Sequence, residues 1–479
     1  MRDPDQRARV AIDLGADSCR VSLLRWQDDK PSIQLLHRIP NGPVHREGSL
    51  HWPLDAILKG IEEGLRKAAQ TVQEEIASIA VDGWAADYVH LEENGAPAAP
   101  PFCYRDERTV ASKAAADATA DPHWLYRLTG ALPHRINTLY QLLADKQAGL
   151  HSGTHWLCLP EYVLFRLGAR PVAEYTNATH TGLVDLESRD WSGPVLERFQ
   201  IDRETLPPIV QPGTVVGKLQ GPLSKLDAFR NTELIAPACH DTASAIAGIS
   251  SDLSEAAYLC SGTWSLIGTI IDHPIPSQDA LRSGFTNLGA AGGGFCFHTN
   301  VNGMWILKQC LNHWAKAGRI WELEDLIPAA EHCSAIPGTV PVSAPSLLLD
   351  GDMPAHLNAL LKKAGRNPIP DTPGNEPAFA RLIFESLAAQ YAVTVDRLQQ
   401  LLDVRFKRIH ILGGGSLNGL LTRLTADKTG IPVERGHVES STVGNFAVQL
   451  AMAEGLPASK EAIRRWAHRL AEPSLSQVR

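Results

Sequence analysis

The sequence predicts an α/β protein made of two similar units, and three observations support this prediction. The chain has 479 residues, more than one ordinary hydrophobic core supports, so two domains are expected. Short apolar runs typical of strands alternate with longer stretches of helical periodicity. An apolar run, a small polar turn and a second apolar run stand near the start of each half. We therefore predict domains at residues 1–245 and 246–479.

The first unit is predicted to begin with three strands, followed by a helix and a further strand. The three strands are "VAIDLG", "RVSLLRW" and "SIQLLHR". Residues 54–72 carry apolar side chains at helical spacing, and Pro53 suits the first turn of such a helix. "IASIAV" at 76–81 predicts a buried strand, and "DYVHLEENGAP" predicts a strand that ends in an Asn94-Gly95 turn.

The second unit repeats the strand–turn–strand pattern at residues 256–270, which suggests an internal duplication. A long amphipathic helix is predicted over 379–402 and a strand over 408–413. Three glycines close that strand, and the next helix is expected to begin near Leu417. Residues 336–376 are rich in Pro and Gly, which predicts an irregular excursion over the second unit.

The composition excludes several classes of protein. The 45 Lys and Arg against 53 Asp and Glu give a net charge of −8, and without a basic run no nucleic-acid partner is expected. No apolar stretch approaches the ~20 residues that span a bilayer, and the opening "MRDPDQRARV" lacks the apolar segment of a signal peptide. The eight cysteines are scattered without a CxxC pair, which predicts a reduced, cytoplasmic protein rather than a disulfide scaffold or zinc protein.

Two polar turns stand at the ends of predicted strands. Asp13 closes the first strand, where a buried strand normally carries no carboxylate, and faces the small-residue turn that follows. In the second unit, Ser261, Gly262 and Thr263 separate two apolar runs. Hydroxyl and glycine residues in such a turn can surround phosphate oxygens with backbone N–H groups, but an ordinary hairpin turn has the same pattern.

Two further stretches carry candidate chemistry. In "ILGGGSLNGLLTRLTAD", a strand ends in the glycines 413–415 before a helix begins. Such a turn either lets a polar ligand approach the backbone closely or simply joins a strand tightly to a helix. In "APACHDTASAIAG", Asp241 stands among small apolar residues. Its carboxylate either accepts a proton from a hydroxyl group or caps the helix that follows.

Together these four features predict an ATP-using protein with the nucleotide in a cleft between the units. Each unit offers one strand–turn–strand phosphate loop, the glycine turn lies late in the second unit, and Asp241 lies between the units. Asp13 can then hold a hydrated Mg²⁺ beside the triphosphate, since Mg²⁺ prefers one or two carboxylates together with phosphate.

A series of stretches, which run in family order from about residue 9 to 450, resembles the motifs of the FGGY carbohydrate kinases. They are "AIDLGADSCRVSL", "IAVDGWAADYVHL", "YRDERT", "NTLYQL", "LPEYVLFRLGA", "EYTNATHTGLVD", "HDTASAI", "YLCSGTWSLIG", "TNVNGMW", "ILGGGSLN" and "ESSTVGN". The resemblance is closest to the branch that acts on L-rhamnulose. It implies two ribonuclease H-like domains of the actin/hexokinase/Hsp70 superfamily, a sugar-binding N-terminal one and a nucleotide-binding C-terminal one, with the nucleotide cleft between them.

The resemblance also implies roles for individual residues. Asp241 matches the catalytic base of the family, and Asp13 matches the aspartate that orients Mg²⁺. The implied sugar contacts are Trp84, Ala85, His240, Thr242 and Asn300. The implied nucleotide contacts are Ala16, Asp17, Ser18, Cys19, Arg20, Thr263, Lys308 and Gly414.

Several positions depart from the family pattern. Ala85 replaces a glycine that meets the sugar through its backbone; alanine offers the same N–H unless the site requires a positive φ, and its methyl group narrows the pocket. Cys19 stands where glycine is frequent, and Lys308 stands where a glutamine often contacts the nucleotide. A lysine there can pair with phosphate. Trp84 and Trp264 are either sugar platforms or core aromatics, and the core is the more common place for a lone tryptophan.

The function implied is a kinase that transfers a phosphoryl group from ATP·Mg²⁺ to L-rhamnulose, giving L-rhamnulose 1-phosphate in L-rhamnose catabolism. Another ketose or polyol, such as L-fuculose or xylulose, is the alternative substrate. A non-catalytic ATP-driven clamp or sugar sensor is the alternative class, although it has no need of an acid–base aspartate between the units. The expected partners are the sugar and ATP, with no nucleic acid and no membrane, and the protein is expected to be a monomer or a homodimer.

Overall fold

Two six-stranded sheets stand at the centres of the two units. The structure is a computed structural model that describes residues 5–150, 153–333, 338–455 and 458–475. The first four residues of the opening stretch, and residues 336–337 of the expected excursion, lie outside the described residues.

The strands and helices follow one another in alternating groups. The strands are β1 (Ala8–Leu14), β2 (Ser18–Gln27), β3 (Lys30–Pro40), β4 (Val44–Arg46), β5 (Ser49–His51), β6 (Ile76–Gly83), β7 (Tyr88–His90), β8 (Trp156–Cys158), β9 (Ala173–Glu174), β10 (Ile209–Val210), β11 (Thr214–Lys218), β12 (Glu233–Ala236), β13 (Ala256–Ser261), β14 (Trp264–Ile271), β15 (Thr286–Gly289), β16 (Phe295–Asn302), β17 (Arg408–Leu412) and β18 (Val433–Arg435). The helices are α1 (Leu54–Thr71), α2 (Thr109–Thr119), α3 (Pro122–Thr129), α4 (Thr138–Gln147), α5 (Leu159–Leu167), α6 (Tyr175–His180), α7 (Gly193–Phe199), α8 (Asp241–Ala247), α9 (Gln278–Arg282), α10 (Trp305–Lys316), α11 (Leu323–His332), α12 (Met353–Lys363), α13 (Glu376–Leu402), α14 (Gly419–Thr429), α15 (Ser440–Glu454) and α16 (Lys460–Leu475). Short 3₁₀ helices cover Arg203–Thr205, Leu223–Lys225, Asp227–Phe229, Pro345–Leu348 and Gly414–Leu417.

Five adjacent strands of each sheet share one pattern of order and direction, and the sixth strand lies at opposite edges of the two sheets. The first sheet has the order β11-β12-β6-β1-β2-β3, and the second has the order β15-β16-β14-β13-β17-β18. Strand β1 pairs antiparallel with β2 and parallel with β6, and β13 likewise pairs antiparallel with β14 and parallel with β17. The next neighbours on each side also match, since β2–β3 and β14–β16 are antiparallel and β6–β12 and β17–β18 are parallel. The predicted α/β class and the duplication are therefore confirmed.

Burial explains why the predicted elements form. Every residue of β1 and of β6 is buried, as expected for central strands covered on both faces. Helix α1 confirms the helix predicted over 54–72, and it buries one stripe of residues: Leu54, Ile57, Gly60, Ile61, Gly64, Leu65 and Ala68. Helix α13 contains the helix predicted over 379–402. Across the described ranges, no helix combines the length and the apolar character needed to cross a membrane.

Each unit has its own hydrophobic core, and helix α15 links the second unit to the first sheet. In the second core, Phe379 and Tyr391 of α13 are fully buried. Helix α15 follows the second sheet in sequence, but its Phe446 packs in one cluster with Ala11 and Leu24 of the first sheet. This packing places the beginning of α15 beside the end of β1.

Helices α8 and α15 cross through glycines in direct backbone contact. A Cβ atom on Gly444 would overlap the carbonyl oxygen of Ser244 and lie 2.8 Å from the backbone nitrogen of Gly248. Ser244 Oγ donates to the carbonyl oxygen of Ser441 at 3.0 Å. Because α8 begins at Asp241, this crossing determines where the Asp241 carboxylate lies relative to the second unit.

The expected excursion over 336–376 contains more regular structure than predicted. Helix α12 lies within it and buries Met353, Leu357 and Leu361. The Asp352 side chain caps this helix by accepting from the Ala355 N–H at 3.0 Å. Pro354 lies in the first turn, where proline costs no intrahelical hydrogen bond. This proline therefore marks the start of a helix and not an irregular segment. Helix α14 begins at Gly419, after the 3₁₀ turn, rather than near Leu417.

Candidate active site

A cavity of about 280 Å³ lies between the two units. The first unit contributes the end of β1, β2 and the start of α8, and the second contributes the β13–β14 turn, the glycine turn and the segment that opens α15. Its lining residues are Asp13, Arg20, Asp241, Thr242, Ala245, Cys260, Ser261, Gly262, Trp264, Leu266, Leu412, Gly413, Gly414, Val438, Glu439, Ser440 and Ser441. The structure thus brings several of the predicted site residues to one cavity.

Asp13 is held by groups from both units. Its Oδ2 accepts hydrogen bonds from Arg20 Nη2 at 2.8 Å and from Ser441 Oγ at 2.5 Å. Arg20 also pairs with Glu439, with 3.2 Å between Nη1 and Oε2. Hydrogen bonds of this kind offset the cost of burying a carboxylate. The carboxylate at the end of the first strand therefore joins β2 to the start of α15.

Asp241 opens helix α8 and directs its carboxylate into the cavity. The N-cap position belongs to His240, whose side chain makes no capping hydrogen bond, so the alternative of Asp241 as a helix cap is wrong. Thr242 Oγ1 donates to Asp241 Oδ1 at 3.2 Å. Burial, followed by the negative charge of Asp13, raises the pKa of Asp241 to about 6. Such a carboxylate is ionised at neutral pH and still basic enough to accept a proton from a hydroxyl group.

The two tryptophans left open by the sequence have different environments. Trp84 is only 6% exposed, donates from Nε1 to Asp87 Oδ2 at 3.0 Å, and packs on Trp52 with 4.3 Å between ring centroids. It is therefore a core aromatic close to the site. Trp264 is 44% exposed and lines the cavity, so its ring is available to a ligand.

The other predicted sugar contacts lie near Asp241 or on the cleft face of the second sheet. His240 Nε2 is 3.6 Å from Asp241 Oδ1. Asn300 is exposed on β16 and pairs in register with Leu266, which lines the cavity. Residues paired across two strands project to the same face, so Asn300 lies on the cleft face.

Ala85 keeps a backbone conformation that alanine adopts without strain. The left-handed residue in this stretch is Ala86, with φ +78°, whereas the φ of Ala85 is not positive. Ala85 is buried and can still offer its N–H group. The positive φ that would have required a glycine therefore occurs at Ala86 and not at Ala85.

Some of the predicted nucleotide contacts line the cavity, and others lie in the core or beside the cavity. Arg20 and Gly414 line the cavity, and Thr263 lies between the lining residues Gly262 and Trp264. Cys19 is fully buried in the first core, where burial raises the pKa of its thiol to about 12. The Cys19 side chain therefore packs in the core, and only its backbone belongs to the loop.

The first loop also contacts the second unit directly. Ala16 and Asp17 lie in the turn between β1 and β2, and Ser18 begins β2, where its Oγ accepts from Arg38 Nη1 at 3.2 Å. Lys308 Nζ on α10 lies 3.3 Å from Asp17 Oδ2. Lys308 is thus within reach of the loop on which a phosphate group is expected.

The glycine turn combines both alternatives considered from the sequence. A Cβ atom on Gly415 would overlap Ser261 Oγ, so this position packs tightly against β13. Gly413 has φ +77°, a conformation that favours glycine. A Cβ on Gly414 would meet nothing within 4 Å, and Gly414 lines the cavity. The turn is therefore both a tight strand connection and an open edge of the cavity.

The residues at the end of β1 fit a hydrated Mg²⁺. Both hydrogen bonds described for the Asp13 carboxylate end at Oδ2, which leaves Oδ1 for a metal-bound water. Asp82, the register partner of Asp13 on β6, is fully buried, and burial together with the charge of Asp13 raises its pKa well above the usual range. One carboxylate with water and phosphate oxygens is a ligand set that Mg²⁺ prefers.

Sequence reasoning missed the residues that hold the segment before Asp241. Glu174, buried at the start of α6, accepts from the Cys239 N–H at 2.7 Å and from Thr176 Oγ1 at 2.5 Å. Thr176 Oγ1 in turn accepts from the His240 N–H at 3.3 Å. These residues belong to "EYTNAT", which the sequence indicated only through its resemblance to a family motif. The segments around Glu439 and Ser441 were missed for the same reason.

Glu174→Ala is expected to lower the free energy of unfolding by about 3 kcal/mol, because it leaves buried N–H groups without acceptors. The shift of the urea unfolding midpoint measures this effect. Glu197→Ala, the same change at an exposed position of α7, is the matched control and is expected to leave the midpoint unchanged. Equal midpoints for the two variants would contradict the role of Glu174 as the anchor of this segment.

The duplicated fold around this cavity corresponds to a known family of sugar phosphotransferases. Residues 8–248 match the N-terminal domain of the FGGY family of carbohydrate kinases, and residues 257–453 match its C-terminal domain. The chain belongs to this family and is a sugar kinase. It is 35% identical over 466 residues to a rhamnulokinase of Pectobacterium carotovorum, covering 95% of this chain and 90% of that protein. A rhamnulokinase of Pectobacterium atrosepticum is also 35% identical, over 465 residues, with the same shares of both chains covered.

Solved structures share the fold at lower sequence identity. A gluconate kinase from Lactobacillus acidophilus superposes with a TM-score of 0.77 at 19% identity, covering 99% of this chain and 98% of that one. A ligand-bound xylulose kinase from the same organism gives a TM-score of 0.76, also at 19% identity and with the same coverage. These likenesses confirm the predicted two-domain fold.

Proposed function

We propose that this chain is an ATP-dependent ketose kinase that converts L-rhamnulose to L-rhamnulose 1-phosphate in L-rhamnose catabolism in the cytoplasm, with Asp241 as the general base. The observation that carries the proposal is the Asp241 carboxylate, which lines the cavity between the units and has a pKa raised to about 6. The 35% identity to two rhamnulokinases supports the choice of sugar. The free cysteines among the described residues support a reducing compartment.

In this proposal the nucleotide occupies the cavity and the sugar lies beside Asp241. Backbone N–H groups of the first loop and of the turn at Ser261–Thr263 hold the phosphates, with Arg20 and Lys308 contributing positive charge. Mg²⁺, when bound near Asp13, neutralises charge on the phosphates. Asp241 accepts the proton of the attacking hydroxyl group as the γ-phosphoryl group moves across. Positioning by the two units supplies most of the acceleration.

The domain division at 245/246 is part of the proposal. It falls near the end of α8, after Asp241 and before β13, so that the base belongs to the sugar-binding unit and the β13–β14 turn to the nucleotide-binding unit. The match to the N-terminal family model ends at residue 248, three residues beyond this position, and the match to the C-terminal model begins at residue 257. Closure of the two units on bound substrates would exclude water and limit the hydrolysis of ATP.

The pH dependence of the reaction follows from the raised pKa of Asp241. Protonated Asp241 cannot accept a proton, so kcat/KM is expected to decrease as the pH falls below about 6, approaching tenfold per pH unit. Initial rates from about pH 5 to about pH 8 at saturating ATP·Mg²⁺ measure this acid limb. A rate that stays constant through this range would contradict the assignment of Asp241 as the base.

The substrate is tested by ADP release from the purified chain with ATP·Mg²⁺ and a panel of sugars: L-rhamnulose, L-fuculose, D-xylulose, L-xylulose, L-ribulose and glycerol. A strong preference for L-rhamnulose is the expected result, and it would show that Ala85 is compatible with this sugar. Preference for another member of the panel would retain the kinase and replace the substrate. ADP release that no sugar increases would contradict the kinase proposal in favour of a sensor or clamp.

A further inference from the structure

Three histidines from different elements meet beside Asp241. His180 ends α6, His240 precedes α8, and His298 lies on β16. The rings of His180 and His240 pack edge to face, with 5.0 Å between their centroids, and His240 Nε2 is 3.6 Å from Asp241 Oδ1. His298 lies two residues before Asn300, so both side chains share one face of β16. The cluster therefore connects the proposed base to the proposed sugar contact on the second sheet.

The three imidazoles are uncharged at neutral pH. Burial lowers the pKa of His180 to about 4 and that of His298 to about 3, and it also lowers the pKa of His240 well below its usual range. A neutral imidazole presents one donor nitrogen and one acceptor nitrogen. This pair complements a hydroxyl group, whereas a carboxylate or phosphate group would need cations. The chemistry of the cluster therefore matches the hydroxyl groups of a sugar.

One ring nitrogen of His180, the buried Nδ1, has no hydrogen-bond partner among the described residues. His298 differs, because its Nδ1 pairs with the Tyr258 hydroxyl at 2.9 Å. The His180 side chain is only half-buried, so part of its ring is accessible. The unpaired Nδ1 carries a cost that a hydrophobic residue would avoid, and the accessible part of the ring allows the imidazole to bond to a ligand beside His240.

We propose that His180 determines substrate specificity by forming a hydrogen bond to a ketose hydroxyl group on C3, C4 or C5. The inference rests on the proposed function, in which Asp241 meets the hydroxyl group on C1. His240 lies next to Asp241, and His180 lies one ring further along. With the C1 hydroxyl group at Asp241, His180 would meet a hydroxyl group further along the carbon chain. A site that binds a hydroxyl group in this way discriminates strongly against the analogue that lacks it.

The experiment compares the wild-type chain with His180→Leu and His180→Gln. For each, kcat/KM is measured with L-rhamnulose and with its 3-, 4- and 5-deoxy analogues. His180→Leu is expected to lose about 30-fold in kcat/KM for L-rhamnulose, mainly through KM, but only about 3-fold for the analogue that lacks the contacted hydroxyl group. Glutamine offers a donor and an acceptor, so His180→Gln is expected to restore most of the loss.

His410→Leu serves as the matched control, since it removes a buried imidazole on β17 that contacts Ser251 and none of the cluster. It is expected to retain the wild-type ratios of kcat/KM between the sugars. Equal losses of His180→Leu on the parent sugar and on every deoxy analogue would overturn the inference, since a packing role acts on all sugars alike. Wild-type protein that phosphorylates no ketose would instead overturn the proposed function, and with it this inference.

Discussion

Asp241→Asn is expected to lower kcat about 10³-fold while ATP·Mg²⁺ still binds. Asparagine has nearly the same shape as aspartate and keeps an oxygen for Thr242, but it cannot accept the proton of the attacking hydroxyl group. The residual rate would come from positioning of the two substrates by the units. Steady-state ADP release gives kcat, and isothermal titration calorimetry gives the Kd of the nucleotide.

Asp252→Asn provides the matched control for this substitution. Asp252 is exposed and pairs with Arg464 at 3.1 Å, outside the cavity. The control is expected to turn over at the wild-type rate. Near-normal kcat in Asp241→Asn would contradict the assignment of the base, and loss of nucleotide binding with unchanged chemistry would assign Asp241 to the nucleotide instead.

Gly444→Ala is expected to have the largest effect on stability, lowering the free energy of unfolding by about 3 kcal/mol. The added methyl group would overlap the Ser244 carbonyl oxygen at the crossing of α8 and α15, and both contacting groups there are backbone, which cannot move aside as a flexible side chain does. The helices must separate, and α8 carries Asp241 at its first position. We therefore expect a lower urea midpoint together with a lower kcat.

Gly193→Ala tests whether this effect belongs to the crossing. Gly193 also lies in a helix, α7, but a Cβ atom there would meet nothing within 4 Å. The control is expected to unfold at the wild-type midpoint and to keep full activity. A Gly444→Ala variant as stable and as active as this control would show that the two helices are not held in backbone contact.

Much of the fold could be predicted from the sequence because it rests on local patterns. The apolar run at Val10–Ile12 and the helical spacing over 54–72 each determine one element, and both are confirmed. Helix α12 was missed because its one proline, Pro354, lies in the first turn, where proline is compatible with a helix, while composition alone suggested an irregular chain.

The site could be predicted only in part, since contacts between distant segments leave no local pattern. Asp13 and Asp241 stood out because a carboxylate is unusual in an apolar stretch. Ser441, which donates to Asp13 from 428 residues away in sequence, has no such signal. The same holds for the histidines, because His180 and His298 come together only when α6 packs near β15 and β16.

The outcome at Cys19 and Lys308 shows a second limit of sequence reasoning. A sequence motif indicates that a segment forms a ligand-binding loop, but it does not show which side chains of that segment face the ligand. Cys19 alternates with Arg20 along β2, so one side chain enters the core while the next reaches the cavity. Lys308 lies on α10 and reaches the same loop only through the packing of the two units.

The central claim is that the cavity between the units transfers a phosphoryl group from ATP to a ketose with Asp241 as the base. Phosphorus NMR of wild-type protein with ATP·Mg²⁺ and L-rhamnulose tests it most directly, with Asp241→Asn run in parallel. The account predicts a sugar phosphate ester that accumulates in step with ADP in the wild type and is nearly absent in the variant. ADP and inorganic phosphate without the ester, at equal rates in both proteins, would contradict it.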